Sequence, residues 1–202
     1  REQKVRNLSN PECRKFLEKE TGDSSMRKKL LEVLTEKDRT DCISQVLEEH
    51  LKSALPYEKN MDADIFVPYV LNPRVDDEVL QKYRKAILEQ LSEEEKNMLQ
   101  KEPAKIWKWI EDKIVSSPEK ERSSVITTPS GCLKTGTGSI LSKKILFVAM
   151  ARTLGIPARL NPHDRSMEYM KNGKFIPVSA ETEKKASILL KASADTQWKY
   201  FQ

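Results

Sequence analysis

The chain has 202 residues, 38% of them hydrophobic and 33% charged, which bounds it to one large domain or a domain with an appendage and excludes a low-complexity, disordered polymer. The 36 Lys and Arg exceed the 31 Asp and Glu by a net charge of +5, but the surplus lies in short pairs such as Lys143-Lys144 and Lys184-Lys185. Without a basic stripe and interleaved aromatics, a nucleic-acid partner is not expected.

No apolar run is long enough to span a membrane. Cys13, Cys42 and Cys132 are odd in number, far apart and contain no CxxC, so they read as neither a disulfide framework nor a zinc site. The opening "REQKVRNLSN" does not read as a signal peptide. The closing "DTQWKYFQ", with Trp198, Tyr200 and Phe201, reads as a strand running on into further parts of the same chain.

Residues 1–75 are expected to form a helical region. Asn10-Pro11 supplies an N-cap and first helical position for "PECRKFLEKE", which Gly22 stops. Asp23 or Ser24 caps the next helix, with Met26, Leu30, Leu31, Val33 and Leu34 on one face. Thr35 then caps one helix through "EKDRTDCISQVLEEHLKSAL", whose stripe is Cys42, Ile43, Val46, Leu47, His50 and Leu51. Cys42 and His50 are two turns apart, too far for a direct pair, and are assigned to packing.

Residues 76–202 are expected to form the core. Residues 56–74 read as irregular. A long helix is expected from about Asp76, since Asp76 and Asp77 suit a helix start and Val79, Leu80, Tyr83, Ile87, Leu88 and Leu91 form a face. Ser92 caps a further turn. Pro103 opens "AKIWKWIEDKIV", with Ile106, Trp107, Ile110 and Ile114 together and Trp107 and Trp109 as core anchors. "SSPEKERSSVITTPSGCLKTGTGS" reads as one long loop. The next helix, capped by Ser139, is apolar nearly all round after Lys144 and ends at Gly155 and Pro157. Strands are expected in "IPARL", "SMEYM", "KFIPVS" and "SILLKA", with a hairpin turn at Asn172-Gly173. The fold class is therefore α+β, a central buried helix packed on a small antiparallel sheet.

Three segments carry a resemblance: "AKIWKWIEDKIV", "GSILSKKILFVAMARTLGIPARL" and "MEYMKNGKFIPVS". Together, over about Ala104 to Ser179, they resemble the transglutaminase-like superfamily, whose core is similar to papain-like cysteine proteases. The register of Arg152, Gly155, Ile156, Pro157, Ala158 and Arg159 is the most specific part. The chain as a whole resembles transglutaminase-like proteins of gut Bacteroidetes that carry a helical segment ahead of this core.

In such proteins a cysteine in the first turn of the central helix is activated by the helix N-terminus and a histidine. Backbone N–H groups there bind the oxyanion. Counting back from Arg152 puts Ile140 at that cysteine's position. The histidine is expected near His163, and Ser179 stands where an orienting aspartate is expected. Ser139 and Ser142 flank Ile140, and a side chain shifted by even one helical position points about 100° away. The resemblance thus implies a domain without cysteine chemistry, acting as a binding or structural module of a larger, exported protein of the periplasm or cell surface. A peptide or glycan ligand would suit the hydroxyl-rich loop and His163, Asp164 and Arg165. No metal or cofactor is expected. The alternative is an active cysteine hydrolase or acyltransferase using Cys132 with His163.

Overall fold

The computed structural model describes residues 10–19, 24–116 and 126–178. The expected strand "SILLKA", Ser179, the residues Gly22 and Asp23, and the aromatic tail at Trp198, Tyr200 and Phe201 lie outside the described residues. What is described is α+β: helices with one three-stranded antiparallel sheet.

The N-terminal helices are α1 (Pro11–Leu17), α2 (Ser24–Val33), α3 (Glu36–Asp41) and α4 (Ser44–Ala54). Asn10 caps α1 by accepting from the Glu12 N–H, and Thr35 caps α3 by accepting from the Asp38 N–H. The single helix expected after Thr35 is broken at Cys42-Ile43, both in extended conformation. The cause is tertiary. Asn10 Nδ2 donates to the carbonyls of Thr40 and Cys42, and the Glu12 carboxylate accepts from the Ser44 N–H, so α1 supplies the cap that Ile43 lacks. Ile43 is exposed rather than part of the buried stripe.

The segment expected to be irregular forms a 3₁₀ turn at Leu55–Asn60, a short α5 (Ala63–Phe66) and a π turn at Val67–Leu71. Conversely, the helix expected from Asp76 begins only at α6 (Arg84–Glu89). The Glu78 carboxylate takes the N–H groups of Val75 and Asp76, and Tyr83 donates its hydroxyl to the Pro73 carbonyl. Those bonds hold the chain in bends where the helix was expected, and leave Val79 exposed.

Downstream lie α7 (Glu93–Lys101), α8 (Lys105–Lys113), α9 (Pro129–Thr135) and α10 (Ile140–Thr153). Ser92 and Glu95 form a reciprocal capping box on α7. Trp107 and Trp109 are half-buried against the core, and Trp109 Nε1 donates to Glu95. The expected long loop contains α9. Its Thr128 cap, Pro129 at the first position and left-handed Gly136 (φ 65°) after its end make a helix signature within a Ser/Thr/Gly-rich stretch. Every residue from Ile145 to Thr153 of α10 is buried, as befits a central helix. Gly155 (φ 77°) follows it.

The sheet runs β1 (Ala158–Leu160), β2 (Met167–Lys171) and β3 (Lys174–Pro177) in that order. Asn172 (φ 52°) and Gly173 (φ 75°) make the expected tight turn between β2 and β3. Helix α10 packs against β1 and β2 on one side and α6, α8 and α9 on others. Two apolar clusters result, one of residues between Cys13 and Leu71, the other between Tyr83 and Tyr169 around α10.

Two fully buried arginines bridge these clusters. Arg84 donates to the carbonyls of Val70, Leu71 and Arg152 and to His50 Nδ1. Arg152 donates to the carbonyls of Asn72, Arg74 and Ala158. Burial pulls the Arg152 guanidinium down to about 10. Two buried ion pairs order the helical region itself: Arg27 with Glu48, and Arg74 with Asp38 in a fork.

Candidate functional site at the tip of the central helix

The tip of α10 is built by hydroxyls. Ser139 Oγ accepts from the Ser142 N–H at 2.9 Å and donates to Ser142 Oγ at 2.9 Å. Ser142 Oγ in turn accepts from the Thr127 N–H at 3.0 Å. Ser139 is thus the N-cap, and buried Ser142 ties the preceding segment to the first turn. A short parallel bridge holds that segment in place: the Val115 N–H donates to the Gly136 carbonyl and the Gly138 N–H to the Val115 carbonyl. Ile140 is the first helical residue, with 54% of its surface exposed. An aliphatic side chain so placed is neither core nor reactive.

Cys132 lies close by but faces inward. Its sulfur packs against the backbone just before the tip, where a Cβ added to Gly138 would come within 2.9 Å of it. That close approach requires glycine at 138. The thiol is fully buried, its hydrogen-bond acceptor is the Thr127 carbonyl at 3.8 Å, and burial pushes it up to about 11. Such a thiol is overwhelmingly protonated at neutral pH and shielded from solvent. The segment carrying Cys132 packs against the start of α10 as helix α9, with the sulfur directed into the core.

His163 stands in an exposed turn between β1 and β2. The turn is self-contained: Asn161 Oδ1 accepts from the His163 N–H, and Asp164 Oδ1 from the Ser166 N–H. Arg165, in left-handed conformation, pairs with Asp76 at 3.3 Å. The Asp164 carboxyl is held below its usual range by the Ser166 N–H first, with a contribution from the Lys144 ammonium. Lys144 is four residues beyond Ile140, so the two share a helix face. No hydrogen bond among the described residues joins His163 to Cys132. Among the described residues, no cluster of three or more His, Cys, Asp or Glu is placed to hold a metal ion.

One constellation beside this turn was not anticipated. Glu168, buried on β2, accepts from Arg159 Nε at 2.7 Å and from Asn161 Nδ2 at 2.9 Å. The Arg159 guanidinium lies over the Phe175 ring at 4.2 Å, and Tyr69 meets Phe175 edge-on at 4.7 Å. The signal was present in the register. The β1–β2 register places Arg159 directly opposite Glu168, and an opposite-charge cross-strand pair is the signal a strand alignment of 158–160 on 167–171 would have given.

Comparison with protein families places these elements. Residues 85–174 match the family model of the transglutaminase-like superfamily. The matched span runs from α6 to the start of β3 and therefore includes α9, α10 and the His163 turn. It begins ahead of Ala104, where the sequence resemblance started, and so takes in the buried α6. No curated protein and no solved structure matches the chain. Within the transglutaminase-like span, the exposed first residue of the central helix is Ile140 and the nearby thiol is buried.

Proposed function

We propose that this is a transglutaminase-like domain without cysteine chemistry, serving as a binding or structural module of a larger exported protein. The observation that carries the reading is Ile140 at the exposed first position of α10, the place where the family resemblance puts a nucleophile. A hydrocarbon has no lone pair with which to attack a carbonyl. The burial of Cys132 and its raised thiol weigh against a substitute nucleophile. The surface around the tip, with Ile140, Lys144, His163 and Asp164, is where a peptide or glycan ligand would be held.

The test is thiol labelling together with amide turnover. In the unmodified chain, iodoacetamide near neutral pH should label Cys132 more slowly than a free model thiol, and amide hydrolysis and transamidation should stay at background. An Ile140→Cys variant should acquire a further thiol that labels faster than Cys132, because it is exposed at a helix N-terminus. Labelling of Cys132 faster than the model thiol, or turnover of an amide by the unmodified chain, overturns the proposal.

A further inference from the structure

The sequence separates Cys13 and Cys42 by 29 positions, yet the fold brings their sulfurs to 2.7 Å. Cys13 lies in α1, and Cys42 is the extended residue at the break between α3 and α4. The break is therefore more than an interruption of a helix. It turns the Cys42 side chain onto α1, and the bonds from Asn10 to the Thr40 and Cys42 carbonyls and from Ser44 to Glu12 fix the approach on either side. Both sulfurs are buried, Cys13 completely. The shared surroundings are polar on one side only: Cys13 faces the Arg39 carbonyl at 3.2 Å, and Asn10 Nδ2 stands 3.7 Å from Cys42. In the structure the two thiols share a hydrogen bond, and sulfurs at that separation need only a small further approach to bond covalently.

We infer that Cys13 and Cys42 form a disulfide that clamps α1 to the α3–α4 junction in an oxidising compartment, leaving Cys132 as the free thiol. The inference goes beyond the sequence reading, which found no disulfide framework in the spacing; in the structure Cys13, Cys42 and Cys132 are free thiols. The inference does not depend on the functional reading above.

The chemistry is thiol–disulfide exchange with a small-molecule or protein disulfide as oxidant. The Cys13 thiolate attacks one sulfur of the oxidant, forming a mixed disulfide and expelling a thiolate that takes up a proton. Cys42, having lost its proton to water, attacks the Cys13 sulfur and displaces the second oxidant thiolate. Two electrons pass from the cysteine pair to the oxidant, which leaves as two thiols. Because both sulfurs are buried once α1 docks, exchange takes place before docking and the finished bond is shielded afterwards.

The test uses the full 202-residue chain. After refolding in an oxidised/reduced glutathione buffer, alkylation in denaturant should add one group per chain, at Cys132, and digestion should yield a linked Cys13–Cys42 peptide. Prior reduction should raise the count to three. The oxidised protein should melt roughly 5–10 °C above the reduced one, and the difference should vanish in Cys13→Ala or Cys42→Ala. Three alkylated thiols after oxidative refolding, or a linkage through Cys132, overturns the inference, and that measurement needs no variant to fold.

Discussion

His50 makes the stability of this protein depend on pH well above the range where carboxylates titrate. The imidazole is completely buried, its Nδ1 accepts from Arg84 Nε at 3.1 Å, and its Nε2 meets the Gln81 carbonyl at 2.9 Å. That arrangement fixes the neutral tautomer with the proton on Nε2. A second proton would leave Nδ1 facing a guanidinium with nothing to accept. Burial first, then the Arg84 charge, push the imidazole down to about 3, from an ordinary value near 6.5. Between those values the unfolded chain binds a proton that the folded one refuses, so stability is fully present above pH 6.5 and falls with pH at about 1.4 kcal/mol per unit. From pH 7.5 to pH 5.0 the loss is therefore about 2 kcal/mol. Urea unfolding followed by Trp107 and Trp109 fluorescence across that interval measures it directly. His50→Gln should flatten the dependence whatever its own stability. An unfolding free energy that stays constant from pH 7.5 to pH 5.0 in the unmodified protein would show that the imidazole titrates freely and refute the reasoning.

Four substitutions probe the scaffold by the same urea assay. Gly155→Ala places a Cβ in a left-handed residue and into the Tyr57 ring, and should cost about 2–4 kcal/mol. Ser139→Ala removes the cap of α10 and one hydroxyl of the Ser142 relay, a loss of about 1 kcal/mol. Arg152→Met strands the carbonyls of Asn72, Arg74 and Ala158 in the interior and should cost more than about 3 kcal/mol. Ile140→Ala, at an exposed first helical position, should change stability by no more than about 0.5 kcal/mol.

What the sequence disclosed were features whose cause lies within a few residues. The caps at Asn10, Thr35, Ser92 and Ser139, the left-handed Gly155 and the Asn172-Gly173 turn all answer to local chemistry and stand where expected. The features that escaped it have distant causes. The α3–α4 break is made by Asn10 and Glu12 from another helix, and the missing start of the long helix is made by Glu78 and Pro73 competing for backbone and hydroxyl partners. Helix α9 is the exception, since its Thr-Pro start and Gly end were local signals submerged in a loop-like composition. At the candidate site, counting from Arg152 found the tip of α10, but no spacing argument shows which way a cysteine eight residues upstream will face. That direction is set by the packing of α9.

The two ends of α10 have different work. At the C-terminal end, Arg152 and Arg84 satisfy carbonyls drawn from 70–74, 152 and 158, and so weld the helical region to the core with no carboxylate ion-paired to them among the described residues. A buried cation held by neutral acceptors, carbonyls and for Arg84 also the His50 imidazole, is costly to desolvate, and removing it would leave several buried acceptors unpaired, so this end is intolerant of change. At the N-terminal end the cap depends on Ser139 and Ser142, while the residue between cap and first turn, Ile140, points its side chain largely into solvent. Stability thus resides at the C-terminal end and not at the tip. A thiol could be exchanged for an aliphatic group at position 140 with almost no consequence for folding, whereas the same freedom is denied to Arg152 some three turns away. That separation of a tolerant helix start from an intolerant helix end is what the paired measurements on Ile140→Ala and Arg152→Met expose.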